Sequence, residues 1–294
     1  MPLDASADQE RRALGAAIAA VMLWSTVATG FKLGLAVFAP LQLLLLGTSI
    51  SAAVFVIAAS AAASWEINRK SLLEAAAFGL VNPCLYYLVL FEAYDRLPAQ
   101  IAQPLNYTWA ITLALLAVPL LKQPLSRRTL AGILISYAGV VMLLSQGSVT
   151  RLPDLSWLGV ALALGSTLLW ASYWLLNARS TANALSLMAL SFLFAIPIVT
   201  VACLLGPGLP VLGWDAVVYG SWVGVIEMGV TFLLWQRALR LTRHAARMGQ
   251  LIFLSPFISL VLIGTVLGEH IHATSVLGLV IIVAGLLVTN RRTR

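Results

Sequence analysis

Charge is scarce in this sequence. Only 10% of its 294 residues are Asp, Glu, Lys or Arg, against about a quarter in an ordinary soluble domain, so a freely soluble fold is excluded. Histidine is scarcer still, with three residues, none inside a long apolar stretch. No Asp lies inside such a stretch either. Hydrolysis needs a nucleophile with a base in reach, or metal ligands at suitable spacing, and the apolar segments offer neither. An enzyme is therefore not expected. His270 and His272 form a close pair in a loop, but two ligands make a poor metal site, so no metal and no cofactor are expected. The two cysteines, Cys84 and Cys203, both fall in apolar stretches, which gives no disulfide framework. A phosphate-binding Gly-rich loop ending in Gly-Lys-Ser/Thr is absent from the sequence, which excludes ATP as the direct energy source. The residues before Arg11 are acidic rather than basic and precede no small-residue cleavage site. The first apolar stretch is thus expected to remain in the mature protein.

What the chain has is apolar length. Hydrophobic residues make up 61% of it and the mean hydropathy is +0.95, the signature of an all-α integral membrane protein. Ten spans are predicted, at roughly 13–33, 41–63, 72–91, 98–118, 128–145, 156–177, 184–205, 216–236, 245–266 and 273–290. Each is near the roughly 20 residues that cross about 30 Å of hydrocarbon. Trp65, Trp157 and Trp214 stand at span ends, where amphipathic rings favour the membrane–water interface. A net charge of +7 raises the question of nucleic acid. The basic residues lie beside apolar spans instead, which points to a lipid bilayer as the partner and to no nucleic acid. With the N-terminus inside, Lys and Arg divide 15 on the inner side to 3 on the outer side, the three being Lys32, Arg96 and Arg151. That imbalance predicts both termini in the cytoplasm.

The eighth span, Ala216 to Gln236, contains Glu227 near its middle, the one carboxylate deep inside any span. A charge at that depth costs at least about 2.5–3.5 kcal/mol, so the residue should face a bundle interior or wet cavity and have a partner. Thr231 and Trp235 follow at i+4 and i+8 and share its helical face. No basic residue lies in any span interior. Glu227 is therefore expected as the neutral acid, donating to Asn82, Gln250 or a carbonyl freed by a proline. Two roles follow from that. It either couples transport to a proton gradient, or serves as a strut and ligand contact in a passive carrier; the second is preferred, since a lone acid makes a thin relay.

Sliding the chain against itself by 146 residues brings Trp24 onto Trp170, Leu121 onto Leu267, Gly132 onto Gly278 and Ala138-Gly139 onto Ala284-Gly285. The expected organisation is two five-helix repeats, 1–146 and 147–294. Five is odd, so the second repeat enters the membrane inverted, an arrangement of secondary transporters with substrate near the midplane between repeats.

The repeat endings, with Leu267-Gly268-Glu269 followed by Gly278 and Ala284-Gly285, resemble the closing segment of the EamA repeat of the drug/metabolite transporter superfamily. The first copy departs from that pattern, with Leu121-Lys122-Gln123-Pro124 in place of the acidic turn. The stretch Pro104-Leu105-Asn106-Tyr107-Thr108-Trp109 is similar to a segment of the YddG-type aromatic amino-acid exporters of that superfamily. The resemblance implies a ten-helix exporter of amino acids or related metabolites in a bacterial inner membrane.

Polar and aromatic residues inside the spans are the candidate substrate contacts. They are Trp24 in the first span, Asn82 and Tyr86 in the third, and Gln103, Asn106, Tyr107 and Trp109 in the fourth. Trp170, Tyr173 and Trp174 follow in the sixth, Glu227 and Trp235 in the eighth and Gln250 in the ninth. Aromatic walls with amide and hydroxyl groups suit a small molecule with an apolar or aromatic body and a polar head. The lack of intramembrane Arg, Lys or His argues against a phosphate-bearing substrate, and the lack of several acidic groups against a dedicated polycation pump. The expected function is export of aromatic or other hydrophobic amino acids by alternating access, with a single copy sufficing. A broad-specificity metabolite or drug exporter is the alternative. Pro83, Pro197, Pro256 and Gly229 are candidate hinges or kinks.

Overall fold

The computed structural model describes residues 2–121, 126–147, 155–177, 179–242, 248 and 250–290, with side chains for 8–116, 126–147, 155–177, 179–242, 248 and 250–288. Lys122, Gln123, Pro124, Arg151, Arg243, Arg247 and the C-terminal arginines lie outside the described residues. Among the described residues every regular element is helical. In order they are α1 (Pro2–Ser25), α2 (Val27–Leu35), α3 (Pro40–Ala61), α4 (Arg69–Gly79), a π-helical segment (Leu80–Leu85), α5 (Tyr86–Arg96), α6 (Ala99–Tyr107), α7 (Trp109–Leu121) and α8 (Arg127–Leu144). Then come α9 (Trp157–Asn177), α10 (Ala184–Leu205), α11 (Trp214–Ser221), a second π-helical segment (Trp222–Val230), α12 (Thr231–Leu241), a 3-10 turn (Leu251–Leu254), α13 (Ser255–Val266) and α14 (Ala273–Asn290). Among the described residues seven helical runs are long and apolar enough to cross a membrane, and two shorter apolar helices cover Leu251–Val266 and Ala273–Val288.

The interruptions have local chemical causes. Pro83 cannot donate to the helical ladder, and Asn82 before it leaves helical geometry at φ −143°, ψ 115°. The Thr26 and Thr108 hydroxyls, at the α1–α2 and α6–α7 breaks, bond back to the carbonyls of Leu23 and Leu105, both at 2.7 Å. Such back-bonding loosens the i→i−4 ladder. Pro197 does not act as a break: α10 runs through it. Pro256 stands in the first turn of α13, where a missing N–H is harmless.

Lipid gives little hydrophobic drive between helices, so close backbone approach must hold them together. A Cβ on Gly139 would sit 2.6 Å from the Gly278 carbonyl oxygen, and one on Gly285 would sit 2.5 Å from that of Gly132. Only glycine fits there. Residue 139 faces 278 while 132 faces 285, so α8 and α14 run antiparallel. Between the two glycine contacts, the Ser136 hydroxyl donates to the Ile282 carbonyl at 3.0 Å. α3 likewise packs on the second π segment, where the Ser51 hydroxyl donates to the Gly224 carbonyl at 2.6 Å. Trp157 and Trp214 are exposed at helix starts, as expected of interfacial rings.

Candidate substrate site

Trp170, on α9, is the centre of an aromatic cluster. Tyr86 stacks on it at 4.6 Å between centroids and Tyr173 at 5.8 Å. Trp174, Phe232 and Trp109 meet it edge-on at 5.9, 5.8 and 6.5 Å. Phe232 passes the chain of rings on to Trp24 at 5.7 Å, and Trp24 to Trp235 at 5.5 Å. Most of the expected contacts are joined in this way, or by the hydrogen bonds that follow. Offset stacking and edge-to-face pairs are the favoured arrangements of rings, each worth about 0.5–1.5 kcal/mol beyond burial.

Polar groups enter the cluster from several helices. The Tyr86 hydroxyl donates to Asn106 Oδ1 at 3.4 Å, and Asn106 Nδ2 donates to the Ser166 hydroxyl at 3.0 Å. The Tyr87 hydroxyl donates to Glu227 Oε1 at 3.0 Å. The Trp24 indole stands beside the same carboxyl. Glu227 is buried, and its other oxygen, Oε2, has no hydrogen-bond partner. The same holds for Asn82 Oδ1, Gln103 Oε1 and Trp174 Nε1. An unpaired buried polar atom costs about 1–3 kcal/mol, and several in one bundle mark where a ligand or water belongs.

Below the cluster, a cavity of about 180 Å³ is lined by Tyr173, Trp174, Asn177, Met188, Phe232, Trp235, Gln236, Leu239 and Arg240. The opposite end is laced shut. Glu269, in the turn between α13 and α14, accepts from the backbone N–H groups of Ala99 and Gln100 at 2.8 and 3.2 Å. Those are orphan donors of the first turn of α6, capped here by a carboxylate from the other half of the chain. Gln100 returns the contact: its Nε2 donates to the His270 carbonyl at 2.8 Å, and its Oε1 accepts from the Ser275 hydroxyl at 2.9 Å. On the same end, Lys32 Nζ donates to the carbonyls of Tyr94 and Leu97 at 2.8 and 3.2 Å.

The partner of Glu227 is Tyr87, where Asn82, Gln250 or a freed carbonyl was expected. The π-helical segment explains the difference. An α-helix puts Asn82 and Tyr86 on one face, but the wider π turn shifts the phase and turns Tyr87 inward. Thr231 is spent on its own helix, its hydroxyl bonding to the Ile226 carbonyl. Tyr107 lies beside Ser255 of α13 rather than in the ring cluster. Gln250 is exposed at the start of the 3-10 turn. Phe232, Tyr87 and Ser166 are site residues that the sequence did not single out. A Phe in an apolar span carries no distinguishing mark, and Ser166 is one hydroxyl among many.

The EamA-like transporter family model matches residues 11–145 and again 157–291. The chain belongs to the EamA-like transporter family. The two matches are 146 residues apart at both ends (157−11 and 291−145), and that offset relates the interruptions of the fold. The first π segment, carried forward by 146, falls on 226–231 and overlaps the second, and Thr108 falls on Leu254 at the end of the 3-10 turn. Ser136 and Ile282, which touch, are themselves 146 apart. A solved crystal structure is similar over 94% of this chain and 95% of its own, with TM-score 0.66 at 20% identity; at that identity it speaks for the fold alone. A search of curated proteins gives no match. The chain is thus a multi-pass membrane protein of a transporter family, with a small molecule as its substrate and the bilayer as its solvent.

Proposed function

We propose that the chain is a ten-span secondary transporter of the bacterial inner membrane, built as two inverted five-helix repeats, 1–146 and 147–294, with both termini cytoplasmic. It exports aromatic or other hydrophobic amino acids by alternating access. The observation that carries this reading is the ring cluster around Trp170, which borders a cavity lined by Tyr173, Trp174, Phe232 and Trp235. Such a site offers flat apolar walls to a ring and leaves buried polar atoms for its head group. The antiparallel α8–α14 pair supports the inversion. Trp24, Asn82, Tyr86, Gln103, Asn106, Trp109, Trp170, Tyr173, Trp174, Glu227 and Trp235 are the proposed contacts, with Tyr107 and Gln250 beside the pathway. One copy holds all of them, so a monomer suffices. The alternative, a broad-specificity metabolite exporter, uses the same walls with less demand on the head group.

Counterflow in proteoliposomes separates these readings. Vesicles preloaded with phenylalanine are expected to take up labelled phenylalanine and tryptophan well above protein-free vesicles, and labelled lysine or aspartate at background. Equal counterflow of unrelated apolar metabolites would favour the broad exporter.

A further inference from the structure

Glu227 Oε1 is held by Tyr87, while Oε2 is buried and unpaired. On the other interrupted helix, Asn82 Oδ1 is also buried and unpaired. The two lie around one group of tyrosines. Tyr87 is within electrostatic reach of Glu227, Tyr86 and Tyr173, and Tyr173 stands beside Asn82. Both orphans sit at the phase shifts in the helices, where π-helical turns recur at functional sites. Phe232, which contacts Trp24 and Trp170, and Tyr173 both line the cavity. Glu227 is eight residues along the chain from Trp235 on the cavity wall.

Both orphans carry acceptor oxygens. The group that satisfies them without bringing an acceptor of its own is an ammonium, with three donors and no lone pair. A hydroxyl brings one donor, and a carboxylate none. The faces of Tyr86 and Tyr87 add attraction for a cation. The unpaired donors that a negative head group would meet, the indole N–H groups of Trp174 and Trp222, are neutral. Among the described residues, Lys32 is engaged by the carbonyls of Tyr94 and Leu97 at one end, and Arg240 lines the cavity at the other.

We infer that Glu227 and Asn82 form a buried subsite for the primary ammonium of the substrate, and that the substrate's carboxylate is dispensable. The substrate class is then aromatic or apolar primary amines, which includes the amino acids but does not require the acid group. This deepens the proposed function and rests on its placing of the substrate among these rings.

The test is direct binding to the full-length protein in nanodiscs, read by quenching of intrinsic tryptophan fluorescence, so that it does not depend on transport. The probes are phenylalanine, phenethylamine and 3-phenylpropionate, which differ in carrying both head groups, the amine alone or the acid alone. Phenethylamine is expected to bind at least as tightly as phenylalanine, and phenylpropionate about tenfold or more weakly than either, as one lost charge-assisted contact dictates. Glu227→Gln keeps the shape and is expected to abolish the preference for amine over acid while phenylpropionate binding stays unchanged. Equal binding of phenylpropionate and phenethylamine to the wild-type protein overturns the inference, with no variant needed. Retention of the full preference in Glu227→Gln overturns it too. If phenethylamine binds as expected while no amino acid shows counterflow, the subsite stands and amino-acid export fails. If phenylalanine shows counterflow with no amine preference, export stands and the subsite fails.

Discussion

The two ends of the bundle differ in what joins the halves of the chain. At the Glu269 end, a carboxylate caps the first turn of α6, and Gln100 spans the turn before α14, so the bonds tie the start of α6 to the turn between α13 and α14. At the Arg240 end, bonds also cross between the halves. Asn183 N–H donates to Glu66 at 2.8 Å and the Ser180 hydroxyl to Glu74 at 2.6 Å. None of these four residues lines the cavity that Trp174, Trp235 and Arg240 border. The difference bears on gating. Under the 146-residue offset the glycines of α8 and α14 exchange, and Trp24 falls on Trp170 and Tyr86 on Phe232, whereas Trp109, Tyr173, Trp174 and Trp235 fall on Ser255, Val27, Ala28 and Val89. Glu269 adds a further chemical difference between the two ends. Its counterpart in the first copy is Gln123 (269−146), a neutral side chain with one acceptor oxygen where the carboxylate has two.

Breaking the latch is expected to produce the largest effect. Glu269→Ala removes two hydrogen bonds to a charged group, each worth about 1.5–3 kcal/mol, and leaves two N–H groups of α6 uncapped. A change of that size moves a two-state equilibrium by well over tenfold. In a protein with Cys84 and Cys203 replaced by alanine, a cysteine at the fully buried position Ala102 reports this end. Its labelling by a membrane-impermeant thiol reagent is expected to rise at least about tenfold with Glu269→Ala. A cysteine at Leu239, on the cavity wall, is expected to become slower to label. If both rates stay unchanged, Glu269 is a helix cap and not a gate.

The next effect sharpens the contrast between the centre and the ends. Among the described residues Trp170 touches five rings, whereas Trp109 meets Trp170 alone, edge-on. Trp170→Ala is expected to raise the half-saturation for phenylalanine counterflow by roughly ten- to a hundredfold, the equivalent of about 1–3 kcal/mol of lost ring contact. Trp109→Ala should cost only about threefold, within the range of a single edge-on pair. Equal effects of the two would mean that the cluster is packing and that the substrate sits elsewhere.

What the sequence disclosed and what it withheld divide along physical lines. Glu227 was legible from depth alone, and Trp24 with Trp170 from the offset, because cost in lipid and repetition are both one-dimensional signals. Tyr87 was not legible as the partner of Glu227, since reading it needs the phase shift that Pro83 and the π turn introduce. Glu269 was visible as a motif residue, but not as a latch: its bonds reach 170 positions back to Ala99. Depth in the span was a poor guide to Gln250, because the helical register of the ninth span is reset by the 3-10 turn at Leu251–Leu254.

The smallest expected effect tests whether the ring cluster works through shape or through its hydroxyls. Tyr86 stacks on Trp170 at 4.6 Å, but its hydroxyl reaches Asn106 only at 3.4 Å, near the limit of a useful hydrogen bond. Asn106 keeps a second, shorter bond to Ser166 at 3.0 Å. Tyr86→Phe retains the stack and loses only the long bond, and polar bonds between helices in lipid average about 0.6 kcal/mol. Half-saturation for phenylalanine is therefore expected to change by less than about threefold, with thermal stability in detergent nearly unaltered. Tyr87→Phe is the informative control, because it removes the one hydroxyl that donates to Glu227. It should cost more than Tyr86→Phe in both measurements. If Tyr86→Phe proves the more damaging of the two, the Tyr86–Asn106–Ser166 chain, and not the carboxyl at Glu227, is the polar end of the site.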